Sequence, residues 1–268
     1  MKYGLLSATA FIAMLGVGAT TGAHAADPQV WVSDANGNIA LVDVVTGGVT
    51  NLVNTGHVLT DIGFAGGTLY GSTFTDLYSV STTTGAATHV GAFTAGGAGM
   101  NALVGNGANL LGASAKDNTL FTINPATAAA MATGATQPGV SAGDLTMAGG
   151  VLYASEVDPT NGADMLVNAT TGTKIADFTA AGGALANVFG LATTGGLVYA
   201  VAGTQVYVVN LSTAALTAQG NWAGSGLGQA FGEAAAFGAS GPKLGEGLLG
   251  FAAMTALLIG VRYRGLFV

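Results

Sequence analysis

Residues Gly66–Gly85 read GGTLYGSTFTDLYSVSTTTG. Leu69-Tyr70 and Leu77-Tyr78 lie on two segments in which apolar and polar residues alternate, rich in Thr, Val and Tyr. β-Branched and aromatic side chains suit a pleated, half-buried surface, so both segments are expected as strands. Gly66-Gly67 precede the first and Thr84-Gly85 follow the second. Glycine reaches positive φ without steric cost, which marks both pairs as turns.

Degraded copies of this stretch recur along the chain. Gly149–Tyr153 and Gly195–Tyr199 repeat its first half, and Asn109–Gly112 and Gln29–Val32 are weaker versions. Thr119–Ile123, Asp164–Val167, Gln205–Val209 and Ile39–Val42 repeat its second half. Thr46-Gly47, Ala126-Thr127, Thr171-Gly172 and Ser212-Thr213 supply the closing turns. A further strand is expected ahead of each unit, at Asp61–Ala65, Asn101–Val104, Asp144–Ala148 and Val188–Ala192. Another follows the closing turn, as at Ala87–Phe93 and Lys174–Phe178. Four strands in a period of roughly 40–45 residues match one blade of a β-propeller.

The first unit lacks its leading strand. Gly232–Gly238, GEAAAFG, fits one that has no partners after it. Its pairing with the Gln29–Val53 unit would close a ring and remove the open sheet edges that invite aggregation. Residues 26–240 are therefore expected to form an all-β, about five-bladed propeller, similar in its repeats to β-propeller proteins in general.

Composition fits a folded domain flanked by export signals. Of 268 residues, 50% are hydrophobic and only 7% charged; the 45 glycines are spaced between alternating strands rather than forming a low-complexity tract. The absence of Cys rules out disulfide staples and thiol catalysis. A formal charge of −7 repels phosphate backbones and argues against nucleic acid as a partner.

Met1–Ala25 reads as a signal peptide with a signal helix. Lys2 gives the positive start, Gly4–Val17 the apolar run, and Ala23-His24-Ala25 the small-x-small pattern that places cleavage between Ala25 and Ala26. Residues 241–243 form a short linker. Leu244–Val261 is then an apolar run carrying one charge, Glu246, and Arg262 and Arg264 follow it. As a helix it would measure roughly 27 Å, enough for a thin bilayer. The two arginines fit a membrane stop with the C-terminus in the cytoplasm before any processing. The 244–268 segment resembles the C-terminal sorting tails of bacterial exported proteins of the PEP-CTERM type, although Gly241–Gly247 lacks their Pro-Glu-Pro motif. The resemblance implies a sorting protease as a partner. It also implies a protein of the periplasm, cell envelope or cell surface, anchored by one C-terminal helix or released from it.

Catalytic constellations are scarce. No G-x-S-x-G elbow is complete, and His24, His57 and His89 show no HExxH spacing for zinc. Asp34–Asn38 and Asp158–Asp164 place oxygen side chains around a glycine but lack the EF-hand spacing, and turn chemistry explains them better than metal. One pattern stands out. Asp61, Asn101, Asp144, Asn187 and Glu233 each stand near the start of a leading strand. In a propeller those strands line the central channel, so the five are expected to gather at one mouth. Their oxygens would hold calcium or a polar ligand; alternatively, strand starts are polar because each emerges from a loop. Two functional readings result. The favoured one is a non-catalytic binding or structural module of the cell envelope, with a protein or glycan ligand, no catalytic residue and no obligatory cofactor. The competing one is a calcium-type, metal-dependent hydrolase or lactonase-like propeller, with a metal-bound water as nucleophile.

Overall fold

A computed structural model describes residues 27–94 and 99–235, and these form a five-bladed β-propeller. The signal peptide with its Ala25/Ala26 cleavage site, the 241–243 linker, the 244–261 apolar run, Arg262 and Arg264 lie outside the described residues. Among the described residues no helix is long and apolar enough to cross a membrane.

Each blade is a four-stranded antiparallel sheet. Blade 1 contains β1 (Gln29–Asp34), β2 (Asn38–Asp43) and β3 (Val49–Asn54); blade 2 contains β4 (Asp61–Ala65), β5 (Thr68–Ser72), β6 (Asp76–Val80) and β7 (Ala87–Ala92). Blade 3 contains β8 (Met100–Asn106), β9 (Asn109–Ser114), β10 (Thr119–Ile123) and β11 (Ala130–Thr136). Blade 4 contains β12 (Val140–Ala148), β13 (Val151–Val157), β14 (Asp164–Asn168) and β15 (Thr173–Asp177). A small hairpin, β16 (Thr179–Ala180) with β17 (Gly183–Ala184), precedes blade 5. Blade 5 contains β18 (Val188–Thr194), β19 (Leu197–Ala202), β20 (Gln205–Val209) and β21 (Leu216–Asn221).

The last strand, β22 (Ala230–Ala235), completes blade 1 by pairing antiparallel with β1, Trp31 opposite Ala234 and Val32 opposite Glu233. The ring closure expected from the repeats is therefore present. The double glycines do what their sequence suggested. Gly66 and Gly67 both take positive φ (55° and 84°), the paired left-handed conformation of a type I′ hairpin between leading and second strands.

Alternation along each strand sends successive side chains into opposite gaps between blades. Val30 and Val32 pack toward blade 5 with Tyr199, Val201 and Trp222, whereas Trp31 packs toward blade 2 with Ile62 and Leu69. Met165 and Val167 join blade 3 residues Leu120 and Ala113, whereas Leu166 joins blade 5 residues Leu191 and Val198. Leu77 and Leu103 belong to the gap between blades 2 and 3. The core is thus five wedges around a channel.

The two Asp/Asn loops are turns. Asp34 Oδ1 accepts from the amides of Asn36 and Asn38, both at 2.8 Å, and its Oδ2 accepts from Gly228 N at 2.7 Å. Asp158 accepts from Thr160 N at 2.7 Å and pairs with Lys174. His57 packs tilted against Tyr78 of β6, His89 meets the same ring edge-on, and His89 pairs with Asp76 at 2.9 Å.

Candidate functional site

The leading strands β22, β4, β8, β12 and β18 line the channel, and their inner edges have no neighbouring strand. Register defines the levels of this channel. Asp61, Ala102, Gly190 and Gly232 stand opposite Ser72, Ala113, Val201 and Ser33 of the second strands. Asp144 takes the same place in blade 4, inside the bulge between Ser141 and Leu145. One level therefore reads Asp, Ala, Asp, Gly, Gly around the ring. The level before it reads Thr60, Asn101, Gly143, Phe189 and Phe231; the level after it reads Ile62, Leu103, Leu145, Leu191 and Glu233.

The five sequence-predicted residues are thus not equivalent. Asp61 and Asp144 share a level, Glu233 lies one residue later, Asn101 one earlier and Asn187 three residues before Gly190. Asp61, Asp144 and Glu233 come together inside the channel, whereas Asn101 and Asn187 line the mouth where the leading strands begin.

The acid level is closed rather than open. A buried amide without an acceptor costs about 1–3 kcal/mol, and the inner edges present one such amide per blade. Two carboxyls take all five. Asp61 Oδ1 accepts from Ile62 N at 2.6 Å, and its Oδ2 accepts from Leu103 N of the next blade. Asp144 Oδ1 accepts from Leu145 N at 2.5 Å. Its Oδ2 accepts from Leu191 N at 2.6 Å and from Glu233 N at 3.1 Å. The two carboxyls are also hydrogen-bonded to each other.

Small residues elsewhere in the ring make the room. A Cβ on Gly232 would stand 2.1 Å from Asp61 Oδ1. Burial raises both aspartates well above the ordinary carboxylate range. The Asp61 charge raises Asp144 further, whereas the hydrogen bond between the two carboxyls lowers Asp61.

Glu233 is different. It is 1% exposed, neither carboxyl oxygen has a partner, and burial followed by the Asp144 charge raises it well above the ordinary glutamate range. Tyr199 is raised too, by burial and then by Glu233.

This donor set does not suit calcium. The aspartate oxygens are turned onto five N–H dipoles whose positive ends converge on the place a cation would take, and Glu233 alone adds unpartnered oxygens. Among the described residues no group of three or more His, Asp or Glu side chains is arranged to hold a metal ion.

The acid level separates two cavities. The narrow one, about 200 Å³, is lined by the later levels, including Glu233, Phe64, Met147 and the hydrogen-bonded Thr146–Thr193 pair. The broad one, about 610 Å³, is lined from all five blades. Phe189 and Phe231 meet edge to face there, with ring centroids 6.2 Å apart, and Phe74, Val58, Val140 and Val157 extend the apolar wall. Thr60, Asn101, Ser141 and Asp164 are its buried polar residues, and the Thr60 hydroxyl is taken up by Ser72 O and Met100 O. Asn101 Nδ2 donates to Ser141 O at 3.2 Å, leaving Asn101 Oδ1 and Ser141 Oγ without partners. Asp164 Oδ2 accepts from Val188 N at 2.8 Å, and burial raises its carboxyl. Glu156, just behind at β13, accepts from Gly139 N at 2.8 Å and is pushed up by burial to about 7.

Phe74, Phe189, Phe231 and Ser141 were not singled out by sequence, and Asp164 was marked only as the last oxygen of the Asp158–Asp164 loop. The repeated Phe-Gly of Phe189-Gly190 and Phe231-Gly232 was a usable signal; nothing local marks Phe74 or Ser141.

No family model matches the sequence, and no curated protein matches it. Among solved structures, a chain of a nidogen/laminin complex is similar over 77% of this chain and 97% of its own, at 11% identity and a TM-score of 0.46. A chain described with the de novo evolutionary emergence of a symmetrical protein is similar over 73% and 94%, at 18% identity and a TM-score of 0.47. The computationally designed protein Ika8 is similar over 74% of this chain, which spans 60% of Ika8, at 14% identity and a TM-score of 0.35. Likenesses this distant carry no argument about activity.

Proposed function

We propose that the chain is an exported, non-catalytic propeller that serves as a binding module of the cell envelope, tethered by its 244–261 segment or released from it. The ligand enters the broad mouth. The observation that carries this reading is the 610 Å³ cavity, to which every blade contributes and whose apolar wall holds a few buried polar groups. The export half rests on Met1–Ala25 and on the apolar run followed by Arg262 and Arg264.

The competing metal-assisted hydrolase draws on the same acids. It requires the aspartates to leave the amides they now satisfy. Thermal melting of the full chain with calcium or with chelator separates the two. The binding reading expects no calcium-dependent shift. A stabilisation by calcium that disappears in Asp61→Ala or Asp144→Ala refutes it.

A further inference from the structure

The broad cavity has a chemical bias beyond its apolar wall: among the described residues its lining holds one carboxyl and no cationic side chain. The Asn101 amide nitrogen is already committed to Ser141 O, which leaves Asn101 Oδ1 and Ser141 Oγ as oxygens without partners. Asp164 adds a carboxyl that is 6% exposed. Its partners are backbone amides, those of Val188 and Asn187, and no Lys or Arg among the described residues pairs with it.

Among the described residues no cationic side chain lines the cavity. Lys174 is held elsewhere, by Asp158 and Asp177. Lys116 follows the lining residue Ala115 but does not itself line the cavity, so an anionic ligand would meet the Asp164 carboxyl with no cation on the wall. A donor-only cation would find a charge partner and spare acceptors, because an ammonium group carries three N–H donors and no acceptor. The aromatic residues Phe74, Phe189 and Phe231 come from blades 2, 5 and 1 and suit an apolar body, and their π faces are compatible with a nearby cation.

We propose that the broad cavity binds a hydrophobic amine, with its ring or chain against Phe189 and Phe231 and its ammonium group at Asp164. This rests on the reading of the broad mouth as the ligand site and names the ligand class for it. Charge-assisted hydrogen bonds exceed neutral ones by enough to give about a tenfold preference or more.

The test compares tryptamine with tryptophol, which share an indole ring and differ in ammonium against hydroxyl. Calorimetric titration of the full chain is expected to show tryptamine at least about tenfold tighter. Asp164→Asn should abolish that preference, and Phe189→Ala should weaken both compounds. Equal affinities for the two compounds in the unmodified chain overturn the amine assignment whether or not Asp164→Asn folds; if Phe189→Ala still weakens both, the broad-mouth reading survives. Persistence of the preference in a folded Asp164→Asn chain also overturns it. Binding of neither compound overturns the amine assignment. If calcium then stabilises the chain through Asp61 and Asp144, the binding reading falls separately.

Discussion

Deleting either aspartate of the channel should unfold much of the margin this propeller has. Asp61→Ala removes the acceptors of Ile62 N and Leu103 N, and Asp144→Ala removes those of Leu145 N and Leu191 N. The Glu233 amide adds to the Asp144 loss at its longer 3.1 Å contact. With about 1–3 kcal/mol for each buried amide left without an acceptor, each substitution should cost about 3–5 kcal/mol. That is a large fraction of the roughly 5–15 kcal/mol available to a typical domain. For a domain of this size it corresponds to a fall in Tm of about 10 °C. Water entering the vacated space would return part of the loss, which is why the estimate stays below the sum of full penalties.

The two losses should not add. The carboxyls bond to each other, so a cycle of Asp61→Ala, Asp144→Ala and the double variant should show a coupling of about 1–3 kcal/mol. Urea unfolding supplies the free energies and amide hydrogen exchange supplies the location. Exchange should accelerate at Ile62 and Leu103 in the first variant and at Leu145 and Leu191 in the second. A cost below about 0.5 kcal/mol, the range of an ordinary surface change, would refute the role given to the pair. So would exchange changes confined to the outer strands.

Three further outcomes follow from the same levels. Gly232→Ala puts a methyl group 2.1 Å from Asp61 Oδ1 with no room to yield, and should destabilise by about 2–3 kcal/mol in thermal melts. Glu233→Met replaces a partnerless acid, at a level otherwise built from Ile62, Leu103, Leu145 and Leu191, with an apolar chain of similar length. The native carboxyl has a raised folded pKa, so its penalty grows as pH rises above the unfolded value near 4.5; Glu233→Met should gain stability over the native chain from pH 5 to pH 8, as read by urea midpoints. Glu156→Gln keeps the acceptor for Gly139 N but removes a carboxyl whose folded pKa is about 7 against 4.5 unfolded. The native chain should lose up to roughly 3 kcal/mol across that window, and Glu156→Gln should flatten that part of the pH profile.

The fold was legible because every blade repeats the same local chemistry. Gly66-Gly67, Gly149-Gly150 and Gly195-Gly196 all need positive φ, and no partner elsewhere in the chain is required to see it. Ring closure was legible for a similar reason: Glu233 and its neighbours form a strand pattern left without partners. The site was harder. Asp144 and Asp61 could be picked as oxygens near strand starts, but that they share a level depends on the β12 bulge, which shifts the register of Asp144 between Ser141 and Leu145. Asn187, in a left-handed conformation after the β16–β17 hairpin, lies outside the repeat. Asp164 belongs to β14 and reaches the mouth only through the packing of blades 4 and 5. Sequence alignment of repeats has no access to that packing.

The channel also explains why the candidate ligand site is at a mouth and not on the axis. Five blades present five inward amides, and two carboxyls offer four oxygens. The mismatch is absorbed at Asp144 Oδ2, which serves Leu191 N and Glu233 N together, the second at the longer 3.1 Å. A larger side chain at Gly232 would fill the space that the Asp61 carboxyl needs, and one at Gly190 would press on Glu233, so the small residues and the acids are one solution to one hydrogen-bonding problem. A group recruited to satisfy the backbone in this way is poorly placed to turn over a substrate. At the level just before it, Thr60 and Asn101 donate to backbone carbonyls. Phe189 and Phe231 make no such bond; they meet edge to face on the cavity wall, so this level offers a ligand apolar surface that the acid level does not.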